Sequence, residues 1–338
     1  VLAATLVLYA IQSAYSADVS NAIENAGFFL VPFAIMFVLL TEVEWTRRLL
    51  GRVLIAVAGV AAVISAIAIY QYFARDLFLN PELFDANELH VYFRVNSIFF
   101  DPNILGRYLA LAMTALGAYV AWTDERRNLG LALAVFGLSL TALAFSFSIT
   151  SFASLLAGLG MVAILRWRWQ GAFAAGGVLA AGLVALALVG GTPTSDIQSD
   201  RGFDQGHYSL VKGGVQLFGD RPVAGYGSGA FGRAFYDHIE KARTTVSHSE
   251  PITVAAEQGA IGLLVYAALL VTALLTVLGR GAGASPERTA VAACFVAMTI
   301  DSLGYTGYTI DPATWALLAL GVALWPADPP GASATVRR

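Results

Sequence analysis

VAAEQGAIGLLVYAALLVTALLTVLG, residues 254–279, is a run of Leu, Val, Ala and Ile with one ionisable residue, Glu257, near its start. About 20 apolar residues in a helix span a hydrocarbon core, and the run shows none of the period-2 alternation of a barrel strand. A segment in lipid must satisfy its own backbone hydrogen bonds, so the run predicts a membrane-crossing helix. Nine further apolar runs lie near 1–16, 26–41, 53–74, 104–122, 129–147, 150–166, 171–190, 289–305 and 312–326. The expected fold is all-α and polytopic, with about ten transmembrane helices and one large, partly helical external loop. Composition agrees, since 57% of residues are apolar and only 13% charged, outside the range of soluble domains. The chain begins at Val1 within an apolar run, so ten spans is read as a minimum.

This reading divides the chain into four parts. Residues 1–190 hold the N-terminal transmembrane helices with a smaller external loop near 75–103. Residues 191–253 form the large external loop, 254–326 the C-terminal transmembrane helices, and 327–338 a disordered cytoplasmic tail. Threading the runs alternately gathers Arg47, Arg48, Arg52, Arg126, Arg127, Arg166, Arg168, Arg280, Arg288, Arg337 and Arg338 on one side. Short loops rich in Lys and Arg face the cytoplasm, which puts the 191–253 loop and all four histidines outside. The net charge of −3 decides little. Basic residues are not clustered with aromatics in any polar segment, so no nucleic-acid partner is expected. Cys294 is the only cysteine and lies in an apolar run, which excludes intramolecular disulfides and thiolate metal clusters.

The chemistry-bearing residues concentrate in the large loop, which carries six Lys/Arg together with His207, His238 and His248. Tyr208, Val211, Val215 and Phe218 recur at helical spacing, predicting a short amphipathic helix against the membrane surface. Gly225, Gly227, Gly229 and Gly232 in RPVAGYGSGAFGR, 221–233, mark a tight connection. A second helix follows with Phe231, Phe235 and Ile239 on one face, while Arg233, Asp237, Glu240 and Lys241 read chiefly as a solvated face. Ser249 and Pro251 are suited to opening the next helix, so His248 sits at a helix mouth whose N–H groups and dipole favour anions. Glu257 lies about two turns inside. An ionisable residue there marks a functional site or pairs structurally or caps a neighbour. Gly259 and Gly262 have the spacing of close helix packing. In 90–107, Arg94 and Arg107 suit a carboxylate or a phosphate, and Asp101 reads equally as a helix cap. The histidines lack close ligand spacing, so no metal is expected.

Arg201, then GGVQLFGDRPVAGYGSGAF at 213–231 and SHSEPITVAAEQGAIG at 247–262, resemble the signature region of the O-antigen ligase and polymerase family of bacterial membrane glycosyltransferases. RVNSIFFDPN at 94–103 resembles an earlier segment of that family. The resemblance implies a Pro-x-x-Gly-x-Gly-x-Gly-x-Phe loop followed by a histidine motif ending in Glu-x-Gly, here His248 and Glu257. His248 is followed by Ser249, where many members have Asn. It implies an enzyme of the bacterial cytoplasmic (inner) membrane, with its active site on the external face. Such enzymes pass a glycan from a polyprenyl diphosphate donor to a glycan, lipid or protein acceptor, without cofactor or metal. On this reading His248, Arg201 and Arg221 are the catalytic candidates, and Arg94, Lys212, Arg233 and Glu257 the substrate-binding ones. An imidazole removes a hydroxyl proton near neutral pH, and guanidinium groups stabilise a departing diphosphate. A repeat-unit polymerase fits the same residues. A polysaccharide or lipid transporter is the reading from another class, disfavoured because polar groups gather in one loop instead of at the midplane.

Overall fold

The structure is a computed structural model and describes residues 1–79, 83–84, 87, 92–177, 203–241, 244, 246–279 and 281–324, with no side chains for 203–207. Arg201, His90, Arg280, most of the apolar run 171–190, the tail 327–338 and the His207 side chain lie outside the described residues.

The helices run in chain order as α1 Leu2–Ser13, α2 Val19–Asn25, α3 Val31–Thr41, α4 Arg47–Ala74, α5 Pro102–Val120, α6 Arg126–Ser146 and α7 Ile149–Trp167. They continue as α8 Phe203–Asp220, α9 Phe231–His238, α10 Glu250–Val277, α11 Pro286–Gly304 and α12 Pro312–Ala323. There is no strand among the described residues. Pro32 has no N–H to give to the turn before it, and a π-helical turn, Ala26–Leu30, joins α2 to α3 there. Val19–Thr41, α4, α6, α7 and α10 are long and apolar enough to cross a membrane. The count is thus five on that measure among the described residues, where the apolar runs predict about ten. Helices α1 and α12 are apolar but shorter. Large apolar side chains such as Ile55, Phe73, Leu264 and Leu275 point outward, as a surface facing lipid requires and one facing water does not.

At the centre α5 packs against α6, α7 and α11. Small residues set these crossings. A Cβ on Gly106 would lie 2.6 Å from the Ser151 hydroxyl, and one on Gly158 would lie 2.4 Å from that of Thr114. Leu105, Leu109 and Met113 of α5 fill the space between and are wholly buried.

The expected continuous helix over 254–279 is broken. Gly259 has φ 65 and ψ −164 inside α10, and the loop segment 222–227 lies in the break. Tyr226 N–H donates to the Ala256 carbonyl at 3.1 Å and Gly227 N–H to that of Glu257 at 2.7 Å, while Ala260 N–H donates to the Pro222 carbonyl at 2.8 Å. Irregular backbone at such a place is tolerated where protein supplies its hydrogen bonds. Helix α1 and the turn after it supply more: the Gln12 amide donates to the Gln258 carbonyl at 3.2 Å and the Tyr15 phenol to that of Ala224 at 2.8 Å. Gly259 therefore serves loop docking through its backbone, a use its spacing to Gly262 does not signal.

Candidate active site

Helix α8 packs inward through a face other than the apolar stripe of Tyr208, Val211, Val215 and Phe218, which the sequence assigns to the membrane surface. Tyr208 and Val215 are 69% and 56% exposed, whereas Gly213, Gly214 and Leu217 are buried with Leu210 beside them. The reason is steric. A Cβ on Gly213 would lie 2.4 Å from the Phe235 ring, and one on Gly214 would lie 2.5 Å from the Ile252 side chain. Two missing side chains let α8 press onto α9 and the start of α10. Phe231 and Phe235 of α9 are fully buried, as their spacing predicts.

The Gly-rich connection is held from below by Glu257. Its carboxylate accepts the N–H groups of Gly229 at 2.8 Å and Phe231 at 3.0 Å, so it caps the first turn of α9. This is the capping contact that the sequence offered as one of the two readings of Glu257. Asn21 and Ser16 support the same loop, the Asn21 amide donating to the Gly229 carbonyl at 2.6 Å and the Ser16 hydroxyl to that of Ser228 at 2.8 Å.

His248 follows at the mouth of α10 with φ 60, a left-handed conformation uncommon outside glycine. Its neighbours fix it there. The Ser247 hydroxyl donates to the Ser249 carbonyl and accepts the Ser249 N–H, and it lies 2.9 Å from the Thr253 hydroxyl. Backbone strain held by surrounding contacts is characteristic of functional positions. The imidazole lies with its ring centroid 6.1 Å from that of Tyr305.

Around Tyr305 the C-terminal ends of α6 and α11 meet the N-terminal ends of α5, α7, α10 and α12. Asp101 caps α5 by accepting the Asn103 N–H at 2.6 Å, as the Asp-Pro-Asn sequence predicts. Arg94 is buried, its Nε donating to the Ser146 carbonyl at 3.0 Å. Burial lowers its pKa from the ordinary arginine value, with Asp101 opposing. Arg107 donates to Asp301 at 2.6 Å and Asp311 at 2.9 Å. Ser151 and Ser148 continue this polar chain from Asp301 to Asn103. The Arg107 and Asp301 side chains are only 5% and 1% exposed, and removing one member of a buried pair strands the other charge. Arg107→Met should therefore lower stability by about 3–5 kcal/mol, measured by thermal unfolding of purified protein in detergent. Adding Asp301→Asn should recover part of the loss.

The remaining sequence candidates are more peripheral. Arg221 stacks on the Tyr226 ring, 4.4 Å from its centroid, at the entrance to the Gly-rich loop. Lys212 is exposed on α8. Arg233 is exposed and pairs with Asp237 at 2.8 Å along α9, a surface pair of small energetic weight. Sequence reasoning missed Tyr305, Glu250, Ser247, Thr253 and Asp311. Arg107 and Asp301, ionisable residues within apolar runs, were the available signal for this cluster. Among the described residues no three His, Cys, Asp or Glu side chains are grouped to hold a metal ion.

A multi-helix membrane protein with its polar side chains converging at one end of the helices is the class these features define. Residues 133–267 match the model of the O-antigen ligase family. The match supports a membrane enzyme of the O-antigen ligase and polymerase type. No match is found among curated proteins. The matched region includes α7 to α9, His248 and Glu257, and stops before Asp301, Tyr305 and Asp311.

Proposed function

We propose that the chain joins a glycan from a polyprenyl diphosphate donor to an acceptor hydroxyl at the outer face of the bacterial cytoplasmic membrane. The observation that carries the reading is His248: it lies within the family-matched region and is held in a left-handed conformation at a helix mouth. In the proposed reaction His248 takes the acceptor hydroxyl proton, the acceptor oxygen bonds to the anomeric carbon, and the bond to the diphosphate breaks. The electron pair leaves with the polyprenyl diphosphate, whose developing charge needs cations. Arg94, Arg201 and Arg221 are the proposed partners of that charge, with Lys212 near the approach. Arg107 is a poor partner, since Asp301 and Asp311 already offset its charge. Arg233 and Glu257, each engaged in its own pair or cap, serve the site through the loop they shape.

The test is transfer by purified protein in lipid from a polyprenyl-diphosphate oligosaccharide to a panel of acceptors. Product without added nucleotide sugar is expected, and the acceptor that works separates a ligase from a repeat-unit polymerase. Flux of the intact donor across liposomes with no new glycosidic bond would replace this reading with the transporter.

A further inference from the structure

We propose that Tyr305 is a positioning residue for His248, with its ring setting the direction in which the imidazole faces the acceptor. The proposal rests on the reading of His248 as the general base. Tyr305 lies outside the family-matched region.

Three sets of contacts converge on this ring. On one side is the His248 imidazole, with 6.1 Å between ring centroids and 39° between ring planes. Over the ring lies the Arg107 guanidinium, its Cζ 5.1 Å from the centroid, a distance at which a cation is attracted to an aromatic face. The phenol lies toward Asp101, and burial together with that carboxylate raises its pKa above the ordinary tyrosine value. The phenol thus stays neutral across the working pH range and is no rival base.

The backbone that carries Tyr305 is pinned from two helices by opposite charges. Arg107 of α5 donates through Nη2 to the Tyr305 and Thr306 carbonyls, at 3.2 and 3.1 Å. Glu250, in the first turn of α10, accepts the Gly307 N–H at 2.8 Å, the Thr309 N–H at 3.3 Å and the Thr309 hydroxyl at 3.1 Å. Glu250 is only two residues from His248, so the helix start that presents the imidazole also grips the turn that presents Tyr305. The two rings are thereby fixed to one another instead of meeting across a loose loop. A base misplaced by about 1 Å loses on the order of a hundredfold in rate, which gives such a brace its value.

The experiment compares Tyr305→Leu and Tyr305→Phe in the transfer assay, each in wild-type and His248→Ala backgrounds, with folding checked by thermal unfolding. Tyr305→Leu should lower kcat by about ten- to a hundredfold with donor KM within about twofold. Tyr305→Phe keeps the ring and should retain most of the rate. In the His248→Ala background Tyr305→Leu should cost nothing further, because a residue acting through His248 has nothing left to position. The imidazole resonances of His248, assigned by their loss in His248→Ala, should move in Tyr305→Leu and stay near their wild-type positions in Tyr305→Phe. Equal losses in both backgrounds, wild-type kcat in Tyr305→Leu, or unmoved imidazole resonances would each overturn the proposal. Full activity of His248→Ala alone is a separate result, which removes the base assignment on which the proposal stands.

Discussion

Replacing His248 by alanine is expected to lower kcat for glycan transfer by about 10²- to 10⁴-fold, the usual contribution of a positioned general base. The donor KM should change little, because the proton moves only in the transition state and the proposed diphosphate contacts belong to Arg94, Arg201 and Arg221. The backbone complicates a simple reading of this variant. His248 has φ 60, where alanine is strained, so lost activity in His248→Ala combines a missing base with a displaced helix mouth. His248→Asn separates the two. Asparagine tolerates the left-handed region but cannot accept the proton near neutral pH. A rate as low as that of His248→Ala is expected, with thermal stability near wild type. Wild-type transfer by a folded His248→Asn protein would sink the assignment.

What the sequence disclosed about this site follows from which interactions leave a pattern along the chain. The break between α6 and α7 at Phe147 and Ser148, the Asp101 cap and the buried pair Phe231 and Phe235 were legible. Each depends on residues within a few positions of one another. The inward face of α8 was not, because Gly213 and Gly214 define it by lacking side chains, and apolar periodicity cannot register an absence. Tyr305 was hidden for a different reason. Its partners Asp101, Arg107, His248 and Glu250 come from two helices, α5 and α10, and the loops that lead into them, and none has a spacing to Tyr305 that carries information. Glu257 could be read as functional or as a cap, and both readings use the same residue type at the same depth. The Gly229 and Phe231 N–H groups at its two oxygens make the capping contact, which no spacing along the chain discloses. Five helices among the described residues are long and apolar enough to cross a membrane, fewer than the apolar runs in the sequence. A run such as 104–122, where α5 carries Arg107 into the centre of the bundle, is apolar largely because it packs among other helices.

The opposite outcomes expected for two glycine-to-alanine changes test whether the loop and the broken helix form one unit. Gly59 lies within α4 with nothing within 4 Å of the position a Cβ would take. Gly59→Ala should raise stability by about 0.5–1 kcal/mol, the ordinary gain from removing a glycine's freedom in a helix. Gly259 also lies within a long apolar helix, yet its φ of 65 and ψ of −164 belong to a region essentially restricted to glycine. A Cβ there would lie 2.3 Å from the Val223 carbonyl oxygen and 2.4 Å from its carbon. Those are backbone atoms, so no side-chain rotation relieves the clash. Gly225, with φ 66, faces the same junction from the other side, and its Cβ would meet the Glu257 carbonyl at 2.3 Å. Gly259→Ala should therefore cost more than about 3 kcal/mol and push segment 222–227 out of the break. Glu257 would lose its hold on Gly229 and Phe231, and α9 its cap. The expected readouts are a large fall in thermal unfolding temperature and new protease cleavage near 222–232, both absent in Gly59→Ala. If Gly259→Ala instead melts like wild type with the loop protected, α10 can run unbroken through Gly259. The docking of the Gly-rich loop would then not depend on that break.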